Sequence, residues 1–142
     1  MTRITFLHGA ADRLQAAASW LGQACREGRR VHVYAPNDGD LTRLDRLLWM
    51  QPPTGFTPHC NADSPLAADT PIVLSPSPDR SFHDECLVNL SDEIPSGFGR
   101  FEHLIEVIST ADADRLPGRE RFRFYRDRGY EMEARDLATE AA

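Results

Sequence analysis

Short apolar runs alternate along the chain with stretches in which apolar residues recur every three or four positions. Ile4-Thr5-Phe6-Leu7 reads as a buried strand. Between Asp12 and Arg26, the residues Leu14, Ala17, Ala18, Leu21 and Cys25 fall on one face of a helix, and Gly28 supplies its C-terminal stop. Val31 to Ala35 is rich in β-formers, and Pro36-Asn37-Asp38-Gly39-Asp40 is a turn able to cap a helix. Leu41, Leu44, Leu47 and Leu48 then mark a second amphipathic helix. Strand, helix, strand, helix within about 45 residues predicts βαβ units on a parallel sheet.

From Gln51 to Pro71 the periodicity stops, and Pro52, Pro53, Gly55, Pro58 and Pro65 punctuate a long connection. Beyond it, Pro71-Ile72-Val73-Leu74, Cys86-Leu87-Val88-Asn89-Leu90 and Leu104-Ile105-Glu106-Val107-Ile108 read as further strands. A last helix is expected from Pro117, a good first-turn residue, to Gly129, followed by an edge strand over 130–137. The expected architecture is a Rossmann-like, three-layer α/β domain over 1–137, its central and mostly parallel sheet flanked by helices. Residues 138–142 are expected to fray.

Composition narrows the function classes. A chain of 142 residues with 41% hydrophobic content builds one compact core. It contains no apolar run near the ~20 residues of a membrane span, and its N-terminus lacks the layout of a secretory signal, so a cytoplasmic protein is expected. Cys25, Cys60 and Cys86 are odd in number and irregularly spaced, which fits reduced thiols better than a disulfide framework. The net charge of −6 argues against direct nucleic-acid binding by phosphate neutralisation. All 16 basic residues are Arg, and six of them (Arg115, Arg119, Arg121, Arg123, Arg126 and Arg128) crowd into 115–128 against only Glu120 and Asp127.

Candidate chemistry is sparse. After the first strand, His8-Gly9-Ala10-Ala11-Asp12 has one glycine where a dinucleotide fingerprint needs three, and a chain without Lys has no P-loop. Adjacent His59 and Cys60 converge poorly on one ion, and Cys86 suits a strand as a small hydrophobe. No GxSxG elbow is present. No cofactor, metal or catalytic residue is expected. The rival reading is a small nucleotide-binding or enzymatic domain using the strand ends near His8, Pro36 and Asn89.

Two segments stand out as recognition surfaces. The proline-broken stretch from Trp49 to His59 carries aromatic residues that either anchor a partner or plug the rim of the core. In the last helix, Arg119, Phe122, Arg123 and Arg126 fall within one arc, and Arg115 extends it if the helix reaches past Pro117-Gly118. Such a face either receives an acidic, apolar-tipped peptide or is a solvated basic surface whose aromatic packs inward.

Several segments in order resemble the chi subunit family of bacterial DNA polymerase III. They are Gly28-Arg29-Arg30-Val31, Leu44-Asp45-Arg46-Leu47-Leu48-Trp49, Phe56-Thr57-Pro58-His59, Leu87-Val88-Asn89-Leu90-Ser91, Arg119-Glu120-Arg121-Phe122-Arg123-Phe124-Tyr125-Arg126 and Gly129-Tyr130. The resemblance implies a non-catalytic accessory subunit of the holoenzyme's clamp-loader complex, on a Rossmann-like fold without a nucleotide site. It implies two partners, the psi subunit and the acidic C-terminal tail of single-stranded-DNA-binding protein. By motif match the tail site falls on Arg115, Arg119, Phe122, Arg123, Arg126 and Tyr130. The surface for psi, or for an alternative helicase-type partner, falls on Trp49, Phe56, Pro58 and His59.

Overall fold

The computed structural model describes residues 2–50, 58–78 and 83–140. Strands β1 (Arg3–Ala10), β2 (Val31–Tyr34), β3 (His59–Asn61), β4 (Ile72–Ser75), β5 (Cys86–Asn89), β6 (His103–Ser109) and β7 (Glu131–Asp136) alternate with helices α1 (Arg13–Arg26), α2 (Asp38–Trp49), α3 (Asp112–Asp127) and the short α4 (Leu137–Glu140). The strands form one sheet in the order β3-β4-β2-β5-β6-β1-β7, and every pairing is parallel. The expected α/β architecture is therefore observed.

A parallel sheet covered on both faces buries both sets of alternating side chains, so its strands read as unbroken apolar runs. Ile105 and Val107 of β6 join the core beneath α1 and α2 with Leu14, Leu21, Leu44 and Leu48. Leu104 and Ile108 of the same strand point the other way, into a core with Ile4, Phe6, Phe101 and Tyr125 under α3. Cys86 is one of the buried strand residues, and burial pushes its thiol up to about 12.

Two expected boundaries change. A short strand, β3, lies inside the long connection, paired with β4; three residues at a sheet edge are too few to show a period. α3 begins at Asp112, five residues before Pro117, which sits inside the helix. The proline removes one backbone bond, to Ala113, and that residue is exposed, so its carbonyl is left to solvent. Ser109 secures the entry instead, donating to Asp114 Oδ2 at 2.5 Å and accepting from the Ala111 amide. Gly118 has a packing reason: a Cβ there would lie 3.1 Å from Ile108 Cγ1 and closer still to the end of that side chain. Its absence lets α3 approach β6.

His103, at the start of β6, ties the sheet to α1's exit. Arg29 can only donate, so its 2.8 Å contact fixes Nδ1 as acceptor and leaves the Nε2 proton for Thr5 Oγ1 at 2.7 Å. Burial, with Arg29 and Arg3 nearby, lowers the ring to about 4 from an ordinary 6.5. Between those values the unfolded chain binds the proton and the folded chain does not. Stability is thus full above pH 6.5 and falls as pH drops toward 4. Thermal melts of wild type and His103→Gln at pH 7 and 4.5 should show a smaller acid loss in the variant; equal losses would assign the slope to other groups, such as His83, lowered over the same range.

Candidate functional site

The first surface is α3. Because the helix reaches back to Asp112, Arg115 joins Arg119, Phe122 and Arg126 along one face, with Arg123 at its margin. Arg119, Arg123 and Arg126 are exposed; Arg115 and Phe122 are half-buried. Phe122 stands edge-on against Phe6 of β1, ring centroids 5.1 Å apart, so it forms an apolar floor beside the cations. Tyr130 follows the helix and packs on Phe98 and Tyr125, at 5.4 and 6.3 Å.

The cations differ in commitment. Arg115 pairs with Asp112, Arg123 with Glu120 and Arg126 with Asp127. Arg119 makes no ion pair or hydrogen bond among the described residues, which leaves its whole fork for a ligand. The two remaining arginines of the cluster are engaged with the fold, Arg128 at its surface and Arg121 inside it. Arg128 stacks over Phe124 at 4.2 Å, and Arg121, only 3% exposed, donates through Nε to Glu106 at 3.1 Å. Glu106 is fully buried and also receives Tyr125 Oη at 2.7 Å and Asn89 Nδ2 at 3.0 Å. Burial pushes this carboxyl up, against the pull of Arg121, Asn89 and Tyr125. The positional signal for Arg121 was present: Gly118, Arg121 and Tyr125 share the inward stripe of the helix.

The second surface is the end of α2. Trp49 is 58% exposed and Met50 74%, so Trp49 is not a plug of the core. Its ring meets the edge of His59 at 5.7 Å, and His59 Nε2 lies 2.8 Å from Asp45 Oδ1. The His59 side chain is itself covered and packs against the Trp49 ring. Pro58 is half-buried beside it, and Phe56 lies outside the described residues. Met50 was not anticipated; a lone Met after a helix carries no pattern.

A cavity of about 740 Å³ opens beside the end of β1, lined by Gly9, Ala11, Asp12, Trp20 and Arg135, but several polar groups that the rival reading would use there and at β5 are engaged by the chain itself. Asp12 caps α1 by accepting from Leu14 N and Gln15 N, placing a carboxylate where a phosphate would bind. Arg13 donates to Val107 O at 2.6 Å and Ser91 O at 2.7 Å, and the Asn89 side chain is taken up by Glu106, Glu93 and Ser91. No helix among the described residues is long and apolar enough to cross a membrane.

Residues 1–133 match the family model described as DNA polymerase III chi subunit, HolC. The chain belongs to that family. Among curated relatives it is 31% identical to the DNA polymerase III subunit chi of Pseudomonas aeruginosa over 137 residues, covering 94% of this chain and 95% of the relative. It is 27% identical to the subunit chi of Haemophilus influenzae, over 86% of this chain and 82% of that one. The subunit chi of Escherichia coli is 25% identical, over 82% and 77%. In this chi-family chain the sheet separates the two surfaces. α2 ends beside β3 at one edge, whereas α3 packs against β6 and β7 toward the other edge and on the opposite face. Four to six strand spacings place them about 20–30 Å apart.

Proposed function

We propose that the chain is a non-catalytic, cytoplasmic accessory subunit of the replicative DNA polymerase III. It bridges the psi subunit, held at Trp49 and Met50, to the acidic C-terminal tail of single-stranded-DNA-binding protein, held on α3. The observation that carries this reading is Arg119, an exposed and uncommitted guanidinium beside the half-buried Phe122 ring. A tail that is acidic, then apolar, then ends in a carboxylate needs that combination of fork and floor. The separation of the two surfaces supports simultaneous occupancy.

An immobilised tail peptide should retain the chain together with purified psi. The Trp49→Ala variant should stay on the peptide and release psi, since truncating an aromatic anchor typically costs about 2 kcal/mol or more, while its circular dichroism remains native because Trp49 lies outside the core. Displacement of psi by the peptide would show one shared surface and end the bridging reading.

A further inference from the structure

The basic face of α3 carries its own competitors. Asp112 holds Arg115 and Glu120 holds Arg123, each one helical turn apart, and Asp127 lies 3.3 Å from Arg126. Their side chains are 72%, 72% and 65% exposed, so these are hydrated, weak pairs. Arg119 escapes because Leu116, Phe122, Arg115 and Arg123 stand three and four positions away, none of them acidic, and its neighbour Glu120 is turned to Arg123. At about 100° per residue, Glu120 and Asp127 lie just beyond Arg123 on the side of the face away from Phe122, and Asp112 falls between Arg119 and Arg123 at the N-terminal end of the helix.

Resting on the docking reading above, we propose that Asp112, Glu120 and Asp127 are attenuating residues that set the affinity of this face for an acidic segment. They occupy the outer arginines in the free protein and present negative charge beside the docking line. A ligand anchors first on Arg119, the one uncommitted fork among these cations. It gains Arg115, Arg123 and Arg126 only by displacing their carboxylates, which keeps the complex weak and readily exchanged. Neutralising an attenuator therefore strengthens binding without adding any contact.

The test is calorimetric titration of the full chain with two synthetic peptides ending in the same apolar residues and free carboxylate. One carries several Asp residues before that end and the other carries Asn in their place. Glu120→Gln and Asp127→Asn, singly, should each bind the acidic peptide about two- to three-fold more tightly at low ionic strength, the scale of one exposed pair. The gain should shrink as salt screens it and vanish for the Asn peptide. Melting curves of both variants should stay near wild type, as both side chains are exposed. Unchanged or weaker binding by both, with wild-type affinity intact and Arg119→Ala impaired, overturns the attenuator role alone. A wild-type chain that ignores the acidic peptide overturns the docking reading with it.

Discussion

Arg121→Ala is expected to lower the unfolding free energy by about 3–5 kcal/mol, the usual scale for breaking one half of a buried pair. The substitution leaves Glu106, with no exposed surface, facing only the neutral donors Tyr125 and Asn89. With the guanidinium gone, burial raises that carboxyl further. A raised carboxyl means the folded state holds its proton longer than the unfolded one. The variant's deficit should therefore be smaller at pH 5 than at pH 7 in urea titrations, because stability is lost as pH rises through the folded value. The complementary variant is Glu106→Leu with Arg121→Met. Nη1 and Nη2 of Arg121 are buried without a hydrogen-bond partner, so the native pair already carries unmet desolvation. Replacing both partners by apolar groups should recover part of the loss, the buried Tyr125 hydroxyl being left without its acceptor. A double variant as unstable as Arg121→Ala would show that the network is held by something other than charge pairing.

Arg119→Ala is expected to weaken binding of an acidic tail peptide about ten-fold or more. A hydrogen bond to a charged group contributes about 1.5–3 kcal/mol, and Arg119 enters the complex without first surrendering a partner of its own. Arg126→Ala should lose less, because Asp127 already holds part of that cation at 3.3 Å. Arg26→Ala, at the end of α1 and hydrogen-bonded to Gln23, is the control. Arg13 would be a poor one, since it is clamped across Val107 and Ser91. Equal affinities for Arg119→Ala and Arg26→Ala would remove α3 as the tail site. Blocking the terminal carboxylate of the peptide as an amide should reproduce much of the loss if the fork receives that group.

Where side-chain period and backbone demand agree, the chain declares its own fold. Val31, Val33, Ile72, Leu74 and Val88 could only be buried, and the capped helix between Asp12 and Gly28 is where its pattern puts it. β3 escaped because His59-Cys60-Asn61 takes its strand character from β4 alone. The start of α3 escaped because a proline in a helix reads as a beginning, and the compensating facts lie off the helix: the Ser109–Asp114 bond and the Ile108 side chain over Gly118. On the basic face of α3, the arc of cations was legible from spacing. Which cations were free was not, because six arginines look alike until Glu106 takes one inward and Phe124 stacks another. Trp49 was equally ambiguous, since a helix end belongs to core or surface according to what packs on it.

The place of β1, between β6 and the edge strand β7, bears on how the protein is made. Its first paired residue, Arg3, faces His103 on one side and Glu131 on the other. β1 thus waits about 100 residues of chain for β6 on one edge and nearly 130 for β7 on the other. β2, β4 and β5 can assemble once residue 89 has emerged, before β6 exists to pair with β1. Pairings of such long sequence separation are slow to form, and an apolar strand open on both edges invites association with other chains meanwhile. Truncation just before β7 would leave a product in which β1 never finds its second neighbour.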